Sequence, residues 1–237
     1  MIARNGELDT LAHRTRHVLI DFDGPLCEIF AGTPGGDVAD ELRHELLAGG
    51  IDLPSTAETT DDPLEVFRAV ADLNGQAAAI AQALLTALEV RAVQTARPTP
   101  GSADLIVTAI RTGRTVTVVT NNSTAAVIAY LTRQHLGSYV GQIIGRDDPD
   151  PDLMKPSPYR VRIAVGALRA EPQDCVFIGD TVTDVLAGLL GGVAVIGYAN
   201  KPGKAEALSQ AGARAVTTDL AEITTALRRT PSAALPN

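Results

Sequence analysis

The sequence predicts an α/β protein whose doubly wound, mostly parallel sheet is interrupted by a helical insert. From residue 102 onward, short β-branched runs alternate with helical stretches, a pattern typical of repeated βαβ units. One further run of this kind, Val18-Leu19-Ile20, stands alone near the start. The stretch between them lacks the β pattern and carries leucines at helical spacing. A chain of 237 residues can hold one such core and a smaller appended piece.

The first predicted strand covers about residues 17–23, because its apolar run stops abruptly at an acid and a glycine. The helical insert, residues 28–96, is predicted to hold helices at 37–48, 63–73 and 76–93. Gly49-Gly50 ends the first of these helices, and Asp61 or Asp62 caps the second. Two prolines and a glycine within residues 97–101 predict a linker.

The α/β alternation resumes after this linker, so we expect residues 1–27 and 97–237 to form one core domain. Ser157 is predicted to cap one helix, with Pro158 at its first helical position. The tail, residues 230–237, is expected to fray. Strands are predicted at 115–120, 141–145, 175–179, 193–198 and 214–217, and helices at 102–112, 123–135, 157–169, 182–190, 203–211 and 219–228.

Composition and charge exclude several classes of function. The formal net charge of −8 argues against nucleic acid or an anionic membrane surface as a partner, since both require basic patches. Residues 1–9 carry both charge signs and no apolar core, so we expect no signal peptide and a cytoplasmic protein. Cys27 and Cys175 are the only cysteines and form no pattern typical of a disulfide framework or a zinc site.

Four polar clusters follow predicted strands or precede a predicted helix. Ligands bind at the carboxyl ends of strands in open α/β sheets, so these clusters are candidates for one site. Two acids two residues apart can have different catalytic roles, one as a nucleophile and the other as a general acid or base. Each cluster alone has an ordinary explanation: a turn aspartate, a Thr/Asn helix cap or a solvated lysine. The clusters are Asp21-Phe22-Asp23-Gly24, Thr120-Asn121-Asn122-Ser123, Met154-Lys155-Pro156-Ser157-Pro158 and Gly179-Asp180-Thr181-Val182-Thr183-Asp184.

This order of an acid pair, a hydroxyl with an amide, a lysine and a second acid pair resembles the haloacid dehalogenase-like (HAD) hydrolases, over about residues 18–219. The resemblance is to the phosphatase branch with a small helical cap, as in phosphoglycolate phosphatases. It implies that Asp21 is a nucleophile that forms an aspartyl-phosphate. Asp23 would be the general acid and then the general base, and the acid at this position favours a phosphoryl substrate over a halogenated one.

The resemblance also implies how the phosphoryl group and a metal would be held. Thr120, a backbone N–H at Asn121, and Lys155 would bind the phosphoryl group. Mg²⁺ would be bound by Asp21, the backbone carbonyl of Asp23, and Asp180. Such an all-oxygen set suits Mg²⁺, whereas His13, His17, His44 and His135 show no ligand spacing for zinc. Asp184 would support the site, either through water or by orienting Lys155.

The function implied is Mg²⁺-dependent hydrolysis of a small phosphorylated metabolite, and two alternatives stay open. One is a phosphomutase or C–P bond hydrolase on the same fold, and the other is a non-catalytic protein that binds phosphate or a partner. Residues 27–96 contain no lysine, which disfavours the C–P bond hydrolases, because these use a lysine there. Pro25 stands where the family usually has threonine, so a hydroxyl and a backbone N–H are missing. The substrate and the oligomeric state are not predicted.

Overall fold

The computed structural model of the protein describes residues 5–231. The strands are β1 His17–Ile20, β2 Cys27–Glu28, β3 Arg97–Pro98, β4 Thr115–Val119, β5 Gln142–Ile144, β6 Cys175–Gly179, β7 Ala194–Tyr198 and β8 Ala215–Thr217. The main sheet has six strands, all parallel, in the order β5-β4-β1-β6-β7-β8, which confirms the predicted parallel α/β sheet. A second, two-stranded sheet pairs β2 with β3.

Helices cover both faces of the main sheet. Along β1, Val18 and Ile20 pack into one apolar cluster and Leu19 into the other, because successive side chains of a strand point to opposite faces. The first cluster includes residues of α1 Asn5–Arg14, α6 Ser102–Arg111, α7 Thr124–Arg133 and α11 Leu220–Arg229. The second includes residues of α8 Tyr159–Ala167, α9 Val182–Leu190 and α10 Lys204–Gln210. This two-sided burial explains why the strands are almost continuously apolar.

The helical insert has an apolar cluster of its own. Leu42, Val66, Phe67 and Leu85 are fully buried in it, and the core domain contributes Met154. The ribbon of β2 and β3, with Glu28 opposite Arg97, lies where the chain leaves the core and where it returns. The division of the chain at residues 28 and 96 stays a prediction. The helices of the insert are α2 Gly35–Ala48, α3 Ser55–Glu58, α4 Pro63–Ala71 and α5 Gly75–Ala92.

Several local predictions were wrong. Helix α8 begins at Tyr159 after Pro158, and Ser157 does not cap it. The Ser157 N–H instead donates to the Met154 carbonyl at 2.9 Å, in a turn that contains Lys155, so the helix starts two residues later than predicted. The first predicted strand ends at Ile20, so both acids lie in the following loop.

Further differences concern the ends of the chain and the insert. Helices α1 and α3 were not predicted, and part of the predicted linker pairs as β3. At the other end, the Thr230 carbonyl accepts a hydrogen bond from Arg114, so fraying does not begin there. The rest of the predicted frayed tail, apart from Pro231, lies outside the described residues. Along residues 5–231, none of the helices is both long enough and apolar enough to span a membrane.

Candidate active site

The carboxyl ends of the parallel strands bring the four polar clusters together around one cavity of about 520 Å³, here the central cavity. Strands β4, β1 and β6 are neighbours in the sheet, so the loops that follow them lie side by side. The turn before α8 adds Lys155. The predicted site residues that line the central cavity are Asp21, Asp23, Thr120, Asn121, Lys155 and Asp180, and only Asp184 does not line it.

Lys155 lies at the centre of this arrangement and is almost fully buried. Its Nζ is 2.7 Å from Asp21 Oδ1 and 2.5 Å from Asp184 Oδ1. Burial alone would lower the pKa of Lys155, but the carboxylates of Asp184 and Asp21 outweigh it and raise the pKa to about 12. The lysine therefore stays charged and holds two carboxylates that would otherwise repel each other.

Asp184 is held rigidly by the first turn of α9. Its Oδ2 accepts hydrogen bonds from the N–H groups of Asp180 and Thr181, at 3.1 and 3.0 Å, and from the Thr181 hydroxyl. Thr181 Oγ1 in turn accepts from the Asp184 N–H, which completes a capping box. Asp184 thus contacts Lys155 directly, one of the two arrangements that the sequence left open.

The two acids that follow β1 have different surroundings. Burial, followed by the carboxylate of Asp184, raises the pKa of Asp21, while Lys155 lowers it. Asp23 is only half-buried, and its Oδ1 accepts from the Ile29 N–H at 3.0 Å. Desolvation raises the pKa of Asp23 to about 6, so both of its protonation states are accessible near neutral pH.

The loop that contains these acids keeps its shape although Pro25 lacks an N–H. The Gly24 N–H donates to the Cys27 carbonyl at 2.7 Å, and the Leu26 N–H donates to Phe22. The Thr99 hydroxyl donates to the Gly24 carbonyl at 2.6 Å. Thr99, in the chain segment that returns from the helical insert, thus supplies a hydroxyl to this loop, where Pro25 has none.

A metal could be held by carboxylate oxygens of this site. Among the described residues, Asp21, Asp180 and Asp184 each offer an oxygen within 4.8 Å of the others. Asp180 Oδ1 is buried and accepts no hydrogen bond from any described residue, so a coordination position is open. Oxygen ligands with room for water and a phosphate oxygen fit Mg²⁺. Both oxygens of Asp184 already accept hydrogen bonds, from Lys155 and from the helix cap, so Asp21 and Asp180 are the carboxylates that could hold a metal.

The structure adds two residues near the metal candidate that the sequence did not single out for this role. Asp180 Oδ2 accepts a hydrogen bond from Asn200 Nδ2 at 3.0 Å and another from Lys204 Nζ. Both follow β7, a strand that carries no acidic cluster. The one sequence signal that could have found Lys204 is that the chain has only three lysines.

Gly24 is required for Asp180 to approach the acid loop. A Cβ at Gly24 would lie 2.4 Å from Asp180 Cγ, and its φ is +103°. We expect Gly24→Ala to displace Asp180 and to weaken activation by Mg²⁺ about 10- to 100-fold, the usual effect of disturbing a ligand's support. A Mg²⁺ titration of activity measures this.

Gly50→Ala is the matched control for this prediction. Gly50 has a φ of +78°, but a Cβ there would meet no atom within 4 Å. Alanine at Gly50 therefore also adopts a positive φ but meets no neighbouring atom, so this variant should keep the wild-type Mg²⁺ dependence. Equal Mg²⁺ requirements for Gly24→Ala and the wild type would contradict the proposed role of Asp180.

The loop of residues 120–123 lies between β4 and the start of α7. Ser123 caps α7 by accepting from the Ala126 N–H at 3.3 Å. Asn121 Oδ1 accepts from the Lys155 N–H at 2.8 Å, which joins this loop to the lysine segment. Backbone N–H groups at a helix start attract anions, so the loop can both cap a helix and face a phosphoryl group.

The helical insert reaches the site through residues that sequence reasoning missed. Arg68 of α4 lines the central cavity and donates to the Lys155 carbonyl at 2.7 Å. Glu89 of α5 contacts the 120–123 loop. His44 of α2, which the sequence predicts to be a surface histidine although it could have faced the site, is exposed and lines a separate cavity.

The chain is similar in sequence to known hydrolases. A model of the haloacid dehalogenase-like hydrolases matches residues 15–192. A curated relative, phosphoglycolate phosphatase 1 of Pseudomonas aeruginosa, is 33% identical over 94 residues. The aligned part covers 40% of this chain and 34% of that protein, so it spans about a third of the relative's length.

Solved structures share the fold along almost the whole chain. A predicted phosphatase from Clostridium acetobutylicum superposes with a TM-score of 0.69 at 20% identity, over 91% of this chain and 99% of that one. A HAD family hydrolase from Deinococcus radiodurans R1, solved with bound phosphate and sodium, gives a TM-score of 0.60 at 24% identity. That match covers 92% of this chain and 97% of the other. Because the family model covers most of the chain and the fold agrees with it, the protein belongs to the haloacid dehalogenase-like hydrolases.

Proposed function

We propose that the protein is a Mg²⁺-dependent phosphomonoesterase that acts on a small phosphorylated metabolite through an aspartyl-phosphate on Asp21. The observation that carries this proposal is the convergence of Asp21, Asp23, Lys155 and Asp180 in one cavity beside the 120–123 loop. The phosphoglycolate phosphatase relative supports the same class of reaction. The cytoplasmic location predicted from the sequence belongs to this proposal as well.

In the first half of the reaction, an Asp21 carboxylate oxygen would attack the phosphorus atom. Asp23 would give its proton to the leaving oxygen, and its raised pKa of about 6 suits this donor role. Lys155, the Thr120 hydroxyl and the Asn121 N–H would stabilise the charge on the transferring phosphoryl group. Bound Mg²⁺, held by Asp21, Asp180 and the Asp23 carbonyl, would neutralise charge on the phosphoryl oxygens.

In the second half, Asp23 has lost its proton and can act as a base. It would take a proton from water, whose oxygen attacks the phosphorus of the aspartyl-phosphate and restores Asp21. The helical insert would act as a lid over the central cavity, with Arg68 at its inner surface. Mutases resemble these enzymes but keep water away until the substrate reorients. The insert has no lysine, and His44 lies away from the site, so we expect water to reach Asp21.

The function is tested by phosphate release from a panel of phosphorylated metabolites. We expect release with Mg²⁺, loss of release in excess chelator, and recovery when Mg²⁺ is restored. Beryllium fluoride, which mimics a phosphoryl group on Asp21, should raise the melting temperature only when Mg²⁺ is present. Full activity in excess chelator would exclude the metal role.

The same panel separates the alternatives. A hexose 1-phosphate that is converted to the 6-phosphate faster than phosphate appears would establish a mutase. A folded protein that binds phosphate but releases none from any substrate would establish a binding protein instead of an enzyme. Borohydride should trap no adduct with an aldehyde substrate, because the insert lacks the amine that a C–P bond hydrolase needs.

A further inference from the structure

We propose that Glu89, in the last helix of the insert, is a positioning residue that aligns Thr120 for the phosphoryl group. Glu89 lies on α5, and it reaches Thr120 through Asn122. Arg146 compensates its charge. The inference rests on the proposed function, because it assumes that Thr120 contacts a phosphoryl group.

The Glu89 carboxylate is fully buried against the 120–123 loop. Its Oε2 accepts from the Ser123 N–H at 2.8 Å, and its Oε1 accepts from Asn122 Nδ2 at 3.1 Å. Ser123 is the N-cap of α7, where backbone N–H groups lack partners within the helix, and the Asn122 side chain lies directly before it. A side chain of the insert thus fixes the backbone and one side chain of this core loop.

Asn122 passes this constraint on to Thr120. The Asn122 N–H donates to Thr120 Oγ1 at 3.1 Å, and the Thr120 hydroxyl donates to Asn122 Oδ1 at 3.2 Å. Two contacts therefore fix the position of Thr120 Oγ1. When a phosphoryl oxygen is present, the hydroxyl hydrogen can rotate towards it while the Asn122 N–H still holds the oxygen in place.

Arg146 joins the same network from the end of β5. Its guanidinium lies 2.9 Å from Glu89 Oε2, and its Nε donates to the Asn121 carbonyl at 3.0 Å. Arg146 also bonds to Gln82 of α5 and stacks on Phe67 of α4, with its Cζ 4.8 Å from the ring centre. The Glu89–Arg146 ion pair therefore contacts the loop at Asn121 through Arg146, and at Asn122 and Ser123 through Glu89.

This ion pair is better explained by geometry than by stability. Both side chains have no exposed surface, and a fully buried pair is often no more stabilising than apolar residues of the same volume. Its two members instead fix three consecutive residues of the loop, Asn121, Asn122 and Ser123. The seating of α4 and α5 on the core therefore sets the alignment of Thr120.

The test compares Glu89→Gln and Asn122→Ala with Thr120→Val and with the double variants. We expect Glu89→Gln to lower kcat/KM for phosphate release about 10- to 100-fold, the range that a misplaced catalytic group produces. In the Thr120→Val background, the same change should have a much smaller effect, because Thr120 is the main group being positioned and only the contact to Asn121 remains. Asn122→Ala leaves the Glu89–Arg146 pair and its bond to Ser123 intact, so it tests the relay if Glu89→Gln does not fold.

Arg114→Lys is the control for a buried arginine network away from the site. Arg114 is almost fully buried and donates to the carbonyls of Thr15 and Leu227, at 3.0 and 3.3 Å. Arg114 directly precedes β4, so it lies at the amino ends of the parallel strands, whereas the central cavity lies at their carboxyl ends. We expect Arg114→Lys to lower the melting temperature without changing kcat/KM.

Hydrogen exchange supplies a readout that does not depend on turnover. Glu89→Gln should raise exchange selectively in residues 120–123, whereas Arg114→Lys should not. Unchanged kcat/KM in folded Glu89→Gln and Asn122→Ala, or full additivity with Thr120→Val, would overturn the proposal. If the wild-type protein releases no phosphate, the proposed function fails, and selective exchange in the 120–123 loop alone decides whether Glu89 positions it.

Discussion

Replacing Asp21 with asparagine should abolish turnover without lowering the free energy of unfolding. Asparagine keeps the shape of the side chain but is not a nucleophile that can form an acyl phosphate. The folded protein raises the pKa of Asp21 through burial and the Asp184 carboxylate. A raised pKa means that the ionised carboxylate destabilises the folded state as the pH rises above about 4, the usual value for aspartate. Removing that charge should therefore preserve or increase stability at neutral pH.

Phosphate release in the presence of Mg²⁺ and urea unfolding without metal, each compared with the wild type, check this expectation. With Mg²⁺ present, phosphate release should fall to background, and urea unfolding of the metal-free protein at pH 7 should give a free energy no lower than that of the metal-free wild type. Asp104→Asn is a suitable control, since Asp104 is an exposed carboxylate paired with Arg228 on the surface. It should keep turnover and change stability by at most about 0.5 kcal/mol. Wild-type turnover in Asp21→Asn would exclude the aspartyl-phosphate mechanism.

The sheet and the position of the site were predictable because both follow from local patterns. The run Val18-Leu19-Ile20 is apolar on both faces, which is typical of a strand buried in a parallel sheet. Acids directly after such a strand must lie at its carboxyl end. Parallel order then brings Asp21, Thr120 and Asp180 to one edge without any knowledge of side-chain packing.

Contacts between the insert and the core were not predictable in this way. Glu89 and Arg146 are 57 residues apart, and neither lies in a polar cluster. On α5, which is rich in alanine, a single glutamate predicts a solvated position, yet Glu89 is fully buried. Its burial depends on how the insert seats on the core, a tertiary property that no local periodicity carries. The same holds for Arg68 and for Lys204, whose partners come from other segments.

Predictions from short sequence patterns were wrong where tertiary contacts outweighed the local preference for a helix or a loop. Ser157 followed by Pro158 is a sound pattern for a helix start, but the segment is used to direct Lys155 into the site. Helix α1 has a weak apolar stripe, and it is stabilised by packing against α11 at the far end of the chain. Such partners can be assigned only once the sheet order is known.

Replacing Lys155 with methionine should both remove activity and destabilise the protein by about 3–5 kcal/mol, the usual result of removing one partner of a buried ion pair. The variant leaves the carboxylates of Asp21 and Asp184 buried without their shared cation. The raised pKa of Lys155, about 12, means that its stabilising contribution is fully present at every pH below its unfolded value near 10.5. That contribution is therefore constant between pH 5 and pH 8.

The stability deficit of Lys155→Met should nevertheless shrink as the pH falls from 8 to 5, because burial raises the pKa of Asp21 and protonation of its stranded carboxylate relieves the repulsion from Asp184. Urea unfolding of the metal-free protein at both pH values measures this change. The control is Lys201→Met, at the exposed rim of the same cavity, which should change stability by at most about 0.5 kcal/mol.

Asp21→Asn and Lys155→Met thus break the same contact with opposite effects on stability. Asp21→Asn removes a repelled charge and leaves the Lys155–Asp184 bond, whereas Lys155→Met removes the attraction and leaves the repulsion. Equal losses of stability in both variants would mean that Lys155 does not hold the two carboxylates together.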